Sequence, residues 1–160
     1  MRLHLGAVGR MKAGPEKELE RLYFERAAAL GRTAGITALN IREIAESRAA
    51  SPELRKSEEA AKLLSGVPAG AVMVALDVQG RDLSSEELAA ALGRWRDSGT
   101  AEAAFLIGGP DGHGPELLAQ ASATFSFGRM TWPHRLVRVM LLEQIYRAVT
   151  ILVNHPYHRM

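Results

Sequence analysis

The residues of this chain that could do chemistry are five histidines, a glycine-rich run at 108–114, a mixed polar and aromatic run at 128–134, and a polar tail at 154–159. Cysteine is absent, which removes thiolate nucleophiles, disulfides and Cys-ligated zinc. The histidines, His4, His113, His134, His155 and His158, contain no i, i+4 pair flanking a carboxylate, so no metal is expected. The run Gly108-Gly109-Pro110-Asp111-Gly112-His113-Gly114 lacks glycines at i, i+2 and i+5, the dinucleotide fingerprint. It also fails as a P-loop: Gly109 and Gly114 have the right separation, but Pro115 and Glu116 stand where Lys and Ser or Thr are needed. What survives is a backbone able to approach a flat ligand closely, or an ordinary tight strand-to-helix turn. In the run Gly128-Arg129-Met130-Thr131-Trp132-Pro133-His134, the indole of Trp132 could stack on a base or fill a core. His134 falls in the first turn of a helix, where neutral imidazole is favoured and a lone His is more often structural than catalytic. The tail Asn154-His155-Pro156-Tyr157-His158-Arg159 has a composition suited to RNA contact, with a frayed terminus as the alternative.

The 160 residues, 47% of them hydrophobic, fit a single domain over 1–160 with one site per chain. The start of the chain carries one charge and an apolar run too short for a signal sequence, and no window of about 18 apolar residues follows. Neither export nor membrane insertion is expected, and a reducing cytosol is the simplest location. Net charge is only +2. Basic residues cluster, however: Arg10 and Lys12; Arg42, Arg48, Arg55 and Lys56; then Arg129, Arg135, Arg138, Arg147 and Arg159. These patches could meet phosphates or be solvated surface.

Strands must alternate with helices to place these loops. An apolar run at 2–8 bounded by Gly9 reads as a strand, and Leu19, Leu22, Tyr23, Ala27 and Leu30 follow at helical spacing. A second strand is expected over 36–44, then a polar segment at 45–51 as the most mobile connection. The next helix has Ser51 as N-cap and Pro52 at its first position. The continuous apolar run 71–77 reads as a doubly buried parallel strand ending in a turn at 79–82. Ser84 and Glu87 have capping-box spacing for a helix stopping near Gly99. A strand at 103–107, a helix at 115–121 and a short strand at 124–127 complete a mostly parallel, doubly wound α/β sheet. The final helix, opened by Pro133 and running to about Val153, is apolar around well over half its circumference, yet carries Arg135, Arg138, Glu143 and Arg147. Such a helix is expected to be buried between the sheet and a second subunit, making the protein a homodimer, with an entirely intrachain core as the alternative.

Four segments in register carry a resemblance: Phe105-Leu106-Ile107-Gly108-Gly109-Pro110-Asp111-Gly112, Met130-Thr131-Trp132-Pro133-His134, Leu142-Glu143-Gln144-Ile145-Tyr146-Arg147-Ala148 and the 154–159 tail. With Leu3 to Gly9 and Val74 to Gly80 also fitting, the chain closely resembles, over essentially its whole length, the RlmH family of SPOUT-class methyltransferases. That family methylates the ring nitrogen at position 3 of a pseudouridine in large-subunit (23S) ribosomal RNA. The resemblance implies a C-terminal trefoil knot, a homodimer, and S-adenosylmethionine held by Leu76, Gly108, Gly109 and the stretch Arg129, Met130, Thr131, Trp132, Pro133 and His134. It places Tyr157, His158 and Arg159 near the transferred methyl and the RNA. From the ordinary imidazole pKa, His158 or His134 is expected to assist removal of the proton, with Arg138 and Arg159 gripping phosphate or the developing anion. Trp132 stands where leucine is usual, and Gly128-Arg129 departs from the common wording of the motif. The alternative is a non-catalytic dimeric ribosome-binding module with a vestigial cofactor pocket. An enzyme of this fold acting on transfer RNA is disfavoured by the absence of an appended RNA-binding domain.

Overall fold

Period-two alternation of apolar residues decides which helices each strand faces. The structure, a computed structural model, describes residues 1–158. In chain order it forms β1 (Arg2–Val8), α1 (Pro15–Gly31), β2 (Ala38–Ile44), α2 (Pro52–Leu64), β3 (Val72–Asp82), α3 (Ser85–Asp97), β4 (Glu102–Ile107), α4 (Pro115–Gln120), β5 (Ala123–Ser126) and α5 (His134–Leu152). A 3₁₀ turn, Pro156–His158, follows. The strands pair in the order β2-β1-β4-β3-β5, all parallel. Leu3, Leu5, Ala7, Val74, Phe105 and Ile107 face a layer made by α1, α3 and α5. Val8, Ile44, Met73, Ala75 and Leu106 face Ala60, Leu63 and Leu117 of α2 and α4. β4, sandwiched on both faces and paired on both edges, is buried at every position. Each large apolar side chain removed from water there contributes about 1.5–3 kcal/mol.

Local signals fix the helix starts. The Ser84 hydroxyl accepts from the Glu87 amide while the Glu87 carboxylate accepts from the Ser84 amide, the capping box that the spacing predicts. The Ser51 hydroxyl accepts from the Leu54 amide, with Pro52 opening α2.

Two expectations are corrected by tertiary pairing. Residues 79–82 do not end β3. Pairing with β5 runs from Val74–Ala123 to Leu76–Phe125 and resumes at Arg81–Phe125 and Asp82–Ser126, so the turn-like residues form a bulge within a longer strand. The 45–51 segment is not loose. The buried Ser47 donates its amide to Glu59 and its hydroxyl to Glu58, and accepts from the Ala49 amide.

α5 lies against both α1 and α3, which buries Val139, Leu142, Ile145, Ala148 and Val149 within the chain. Much of its apolar circumference is therefore satisfied without a second subunit. Among the described residues no helix is long and apolar enough to cross a membrane. Because every strand is parallel, the connections after β1, β2, β4 and β5 leave the same end of the sheet, where ligands of open α/β folds collect.

Candidate active site

At that end the 108–112 and 127–134 loops enclose a cleft of about 620 Å³, within the range of small-molecule sites. Leu76, Ile107, Phe125, Phe127 and Val137 supply its apolar walls. Of the residues expected to hold a cofactor, Leu76, Gly108, Gly109, Met130, Thr131, Trp132, Pro133 and His134 line it together; Arg129 is exposed and does not. Sequence reasoning missed the back wall, Ile107, Phe125 and Val137, because these residues read equally well as core. Among the described lining residues there is no lysine or arginine, and there are two aspartates, Asp77 and Asp111. Gly108 is required sterically: a Cβ there would stand 2.9 Å from the carbonyl carbon of Gly112. The loop is folded back on itself, with the Gly112 amide donating to the Gly109 carbonyl at 2.9 Å. Met130 and Trp132 are exposed at the mouth, the indole Nε1 donating to the Phe127 carbonyl at 3.3 Å.

His134 opens α5 at the edge of this cleft. Its Nε2 lies 3.6 Å from Glu46 Oε1. Burial, reinforced by Arg138 and Arg135 against the opposing pull of Glu46, holds its pKa below the usual imidazole value, so the ring is neutral near pH 7. The approach requires glycine at position 9, where φ is +87° and a Cβ would stand 2.9 Å from His134 Nε2. The imidazole of His113 is buried beneath the glycine loop, hydrogen-bonded to the Leu106 carbonyl at 3.1 Å, and burial lowers its pKa as well.

Arg138, expected at an RNA phosphate, is instead fully buried. Its Nη1 bridges Glu20 (3.2 Å) and Glu43, and its Nη2 donates to the Gly9 carbonyl at 2.7 Å. Burial alone would raise the pKa of Glu43, but the Met11 amide and Arg138 outweigh it and hold the carboxyl below its ordinary value. This guanidinium cannot reach a phosphate; it ties the 9–14 connection to α5.

A second inner device joins the 45–51 segment to the glycine loop. Arg55 of α2 donates to both carboxylate oxygens of Asp111, at 2.6 and 3.1 Å, and to the Ala49 carbonyl at 3.2 Å. Glu59, 4% exposed, accepts from the Ser47 amide through Oε1, while its Oε2 lies against Gly109 without a hydrogen-bond partner. Burial, with Asp111 and Glu46 adding to it, raises the pKa of this carboxyl. The folded state therefore binds more protons at Glu59 than the unfolded chain at pH values just above 4.5. The native state loses stability as pH rises through that window. Glu59→Gln removes the charge at constant volume. The variant is expected to match or exceed the wild-type thermal midpoint at pH 7 and to lack that pH-dependent loss; a variant less stable than wild type at pH 7 would contradict a buried, proton-favouring carboxyl.

Tyr157 is not at the cleft of its own chain. Tyr157 donates to Glu143 Oε1 at 3.1 Å, stacks 4.6 Å from the Tyr146 ring and lies under the Arg147 guanidinium. Burial, with Tyr23 and Glu143, pushes its pKa up to about 12. Tyr146 stands 12 residues along α5 from His134, roughly 18 Å at the helical rise. Tyr157 therefore docks on its own α5, away from the cleft of its own chain. Arg159 lies outside the described residues, as does the side chain of His158. Among the described residues no group of three or more His, Asp or Glu could hold a metal ion.

Comparison with known proteins agrees with this geometry. A family model described as "Predicted SPOUT methyltransferase" matches residues 1–158. Proteins named ribosomal RNA large subunit methyltransferase H align over 159 residues, 99% of both chains: the one from Rhodopseudomonas palustris is 55% identical, that from Nitrobacter winogradskyi 53%, and that from Rhizobium leguminosarum 50%. A glycine-loop cleft at the carboxyl ends of parallel strands, matched from end to end by one family model and by relatives this similar, places the chain in the SPOUT methyltransferase family, within its RlmH group.

Proposed function

We propose that this protein is an S-adenosylmethionine-dependent methyltransferase acting on large-subunit (23S) ribosomal RNA, at the N3 position of a pseudouridine, as one SPOUT domain over 1–160 with the family's trefoil knot. The observation that carries the reading is the cleft itself. It joins apolar walls to loop backbone and, among the described residues, presents two aspartates and no lysine or arginine. That suits a flat adenine and a positively charged sulfonium, and disfavours a nucleotide polyphosphate. The backbone of 108–112 and 127–133, with Leu76 and Trp132, would hold the cofactor. When bound, it supplies an electrophilic methyl group.

Transfer is an in-line displacement: an N–C bond forms as the S–C bond breaks, and the ring N–H proton must leave. Positioning supplies most of the acceleration, with deprotonation by a base beside the target nitrogen. His134 fits that role because it is neutral at the cleft edge and Glu46 faces the imidazolium that would form; His158 is the other candidate.

A homodimer fits two features. Leu19 and Leu22 of α1 and Leu136 of α5 remain exposed on neighbouring helices, and Tyr157, docked away from the cleft of its own chain, could complete one on another copy. The partners are then a second chain and the ribosome, in the cytoplasm, with no metal.

The test is transfer of labelled methyl from S-adenosylmethionine to large subunits lacking the family's modification, with mapping of the labelled nucleotide. Label on a pseudouridine is expected, with His134→Ala slowing single turnover roughly 10²-fold or more. An intact protein that binds the subunit but transfers nothing would favour the vestigial-pocket module; unchanged single-turnover rates in both His134→Ala and His158→Ala would remove histidine as the base.

A further inference from the structure

Among the described residues the cleft lining has no lysine or arginine, yet unpaired cations stand on the connections beside it. Arg10 and Lys12 follow β1, Arg48 follows β2 and Arg129 follows β5; all four are exposed and, among the described residues, none of their side chains makes an ion pair or hydrogen bond. The parallel sheet brings their backbones to the same end as the cleft. Resting on the methyltransferase reading, we propose that Arg10, Lys12, Arg48 and Arg129 form a phosphate-gripping rim that seats the sugar–phosphate backbone of the RNA substrate and leaves the base to the cleft.

Exposed cations alone would be ordinary surface. Here the chain beneath three of them is fixed from inside. The 9–14 connection carrying Arg10 and Lys12 is held by Arg138 at the Gly9 carbonyl and by the Met11 amide on Glu43. The 45–51 connection carrying Arg48 is held on both sides of that residue, by the Ser47 amide on Glu59 and by Arg55 at the Ala49 carbonyl. Three carboxylates beside these loops are already engaged, Glu43 by Arg138, Asp111 by Arg55 and Glu59 by Ser47, while exposed Glu46 faces His134. Arg138 and Arg55 are thus spent on carboxylates, and the surface cations remain available. A phosphodiester backbone is the partner whose charge spacing and fixed shape repay cations on preset loops, because each contact releases condensed counterions with little ordering of the protein. Exposed Met130 and Trp132 stand among them at the mouth, apolar surface for an unstacked base.

The experiment measures binding of the full-length protein to unmodified large ribosomal subunits across a salt series. The variants are Arg10→Ala/Lys12→Ala/Arg48→Ala and, as a control, Arg32→Ala/Lys62→Ala/Arg94→Ala, three unpaired cations that follow or end α1, α2 and α3 at the opposite end of the sheet. The rim variant is expected to bind at least tenfold more weakly at physiological salt, with the slope of log affinity against log salt reduced by roughly two. Its thermal midpoint and its calorimetric affinity for S-adenosylmethionine should be unchanged, and the control should bind like wild type. Wild-type affinity and slope in the rim variant, or an equal loss in the control, overturn the rim. If wild type binds subunits and the rim variant does not, yet wild type transfers no methyl, the rim stands and the methyltransferase reading falls.

Discussion

Arg138→Ala is expected to lower stability by about 3–5 kcal/mol, because it strips the cation from the buried carboxylate of Glu20 and the partly buried one of Glu43. Glu20 is 2% exposed and keeps only the neighbouring Lys17 ammonium as a counterion. Glu43 keeps the Met11 amide but loses its guanidinium. The Gly9 carbonyl loses its donor as well. For a chain of this length the loss corresponds to a thermal midpoint lower by roughly 10 °C or more. Two comparisons isolate the cause. In an Arg138→Met background, adding Glu20→Gln and Glu43→Gln should recover much of the loss, since the cost lies in orphaned charge more than in lost attraction. Arg10→Ala, on the surface above, should leave the midpoint unchanged. Scanning calorimetry that found Arg138→Ala as stable as wild type would show the buried triad to be dispensable and would reopen a direct role at phosphate.

The misreading of Arg138 shows where sequence stops being informative. Its partners lie 118, 95 and 129 positions away, at Glu20, Glu43 and Gly9. No local pattern distinguishes an arginine destined for that triad from one presented to RNA. Elements set by neighbours in sequence were legible: the capping box at Ser84 and Glu87, the Ser51-Pro52 helix start, the unbroken apolar run of β4. Elements set by pairing were not. β3 outlasts its turn-like composition because β5 offers backbone partners again at Phe125 and Ser126. The 45–51 segment looks mobile by composition but is anchored by Glu58, Glu59 and Arg55 of the helix that follows it. The cleft was half legible. Its glycine loop and the 130–134 run stand out by residue type, whereas its apolar wall is read only when the sheet is assembled. Tyr157 marks the same boundary, since its motif speaks of RNA while its ring and hydroxyl dock onto Tyr146 and Glu143 of the same chain.

Gly108→Ala is expected to weaken cofactor binding roughly 5- to 150-fold while leaving the sheet folded. The added methyl would meet backbone: the carbonyl carbon of Gly112 at 2.9 Å, its oxygen at 3.1 Å and its Cα at 3.3 Å. No side chain can rotate away to relieve that contact, so the 109–112 turn must shift outward. The turn is braced from behind by Arg55 on Asp111 and by buried Glu59 against Gly109, which leaves the cleft as the direction open to it. A backbone displaced by several tenths of an ångström into a close-fitting site costs about 1–3 kcal/mol, or roughly 5- to 150-fold in dissociation constant. Calorimetric titration with S-adenosylmethionine reads this directly, and circular dichroism with a thermal melt checks that β4 and α5 survive. Weakening of binding with a preserved melt places the glycine loop in the cofactor site. Wild-type affinity in a folded Gly108→Ala protein would mean that the ligand is held elsewhere, and the argument from cleft to sulfonium would fail with it. Gly99→Ala, at a turn where a Cβ meets nothing within 4 Å but φ is +81°, serves as the paired control: it should lower stability through backbone strain alone and leave the affinity of the folded protein untouched.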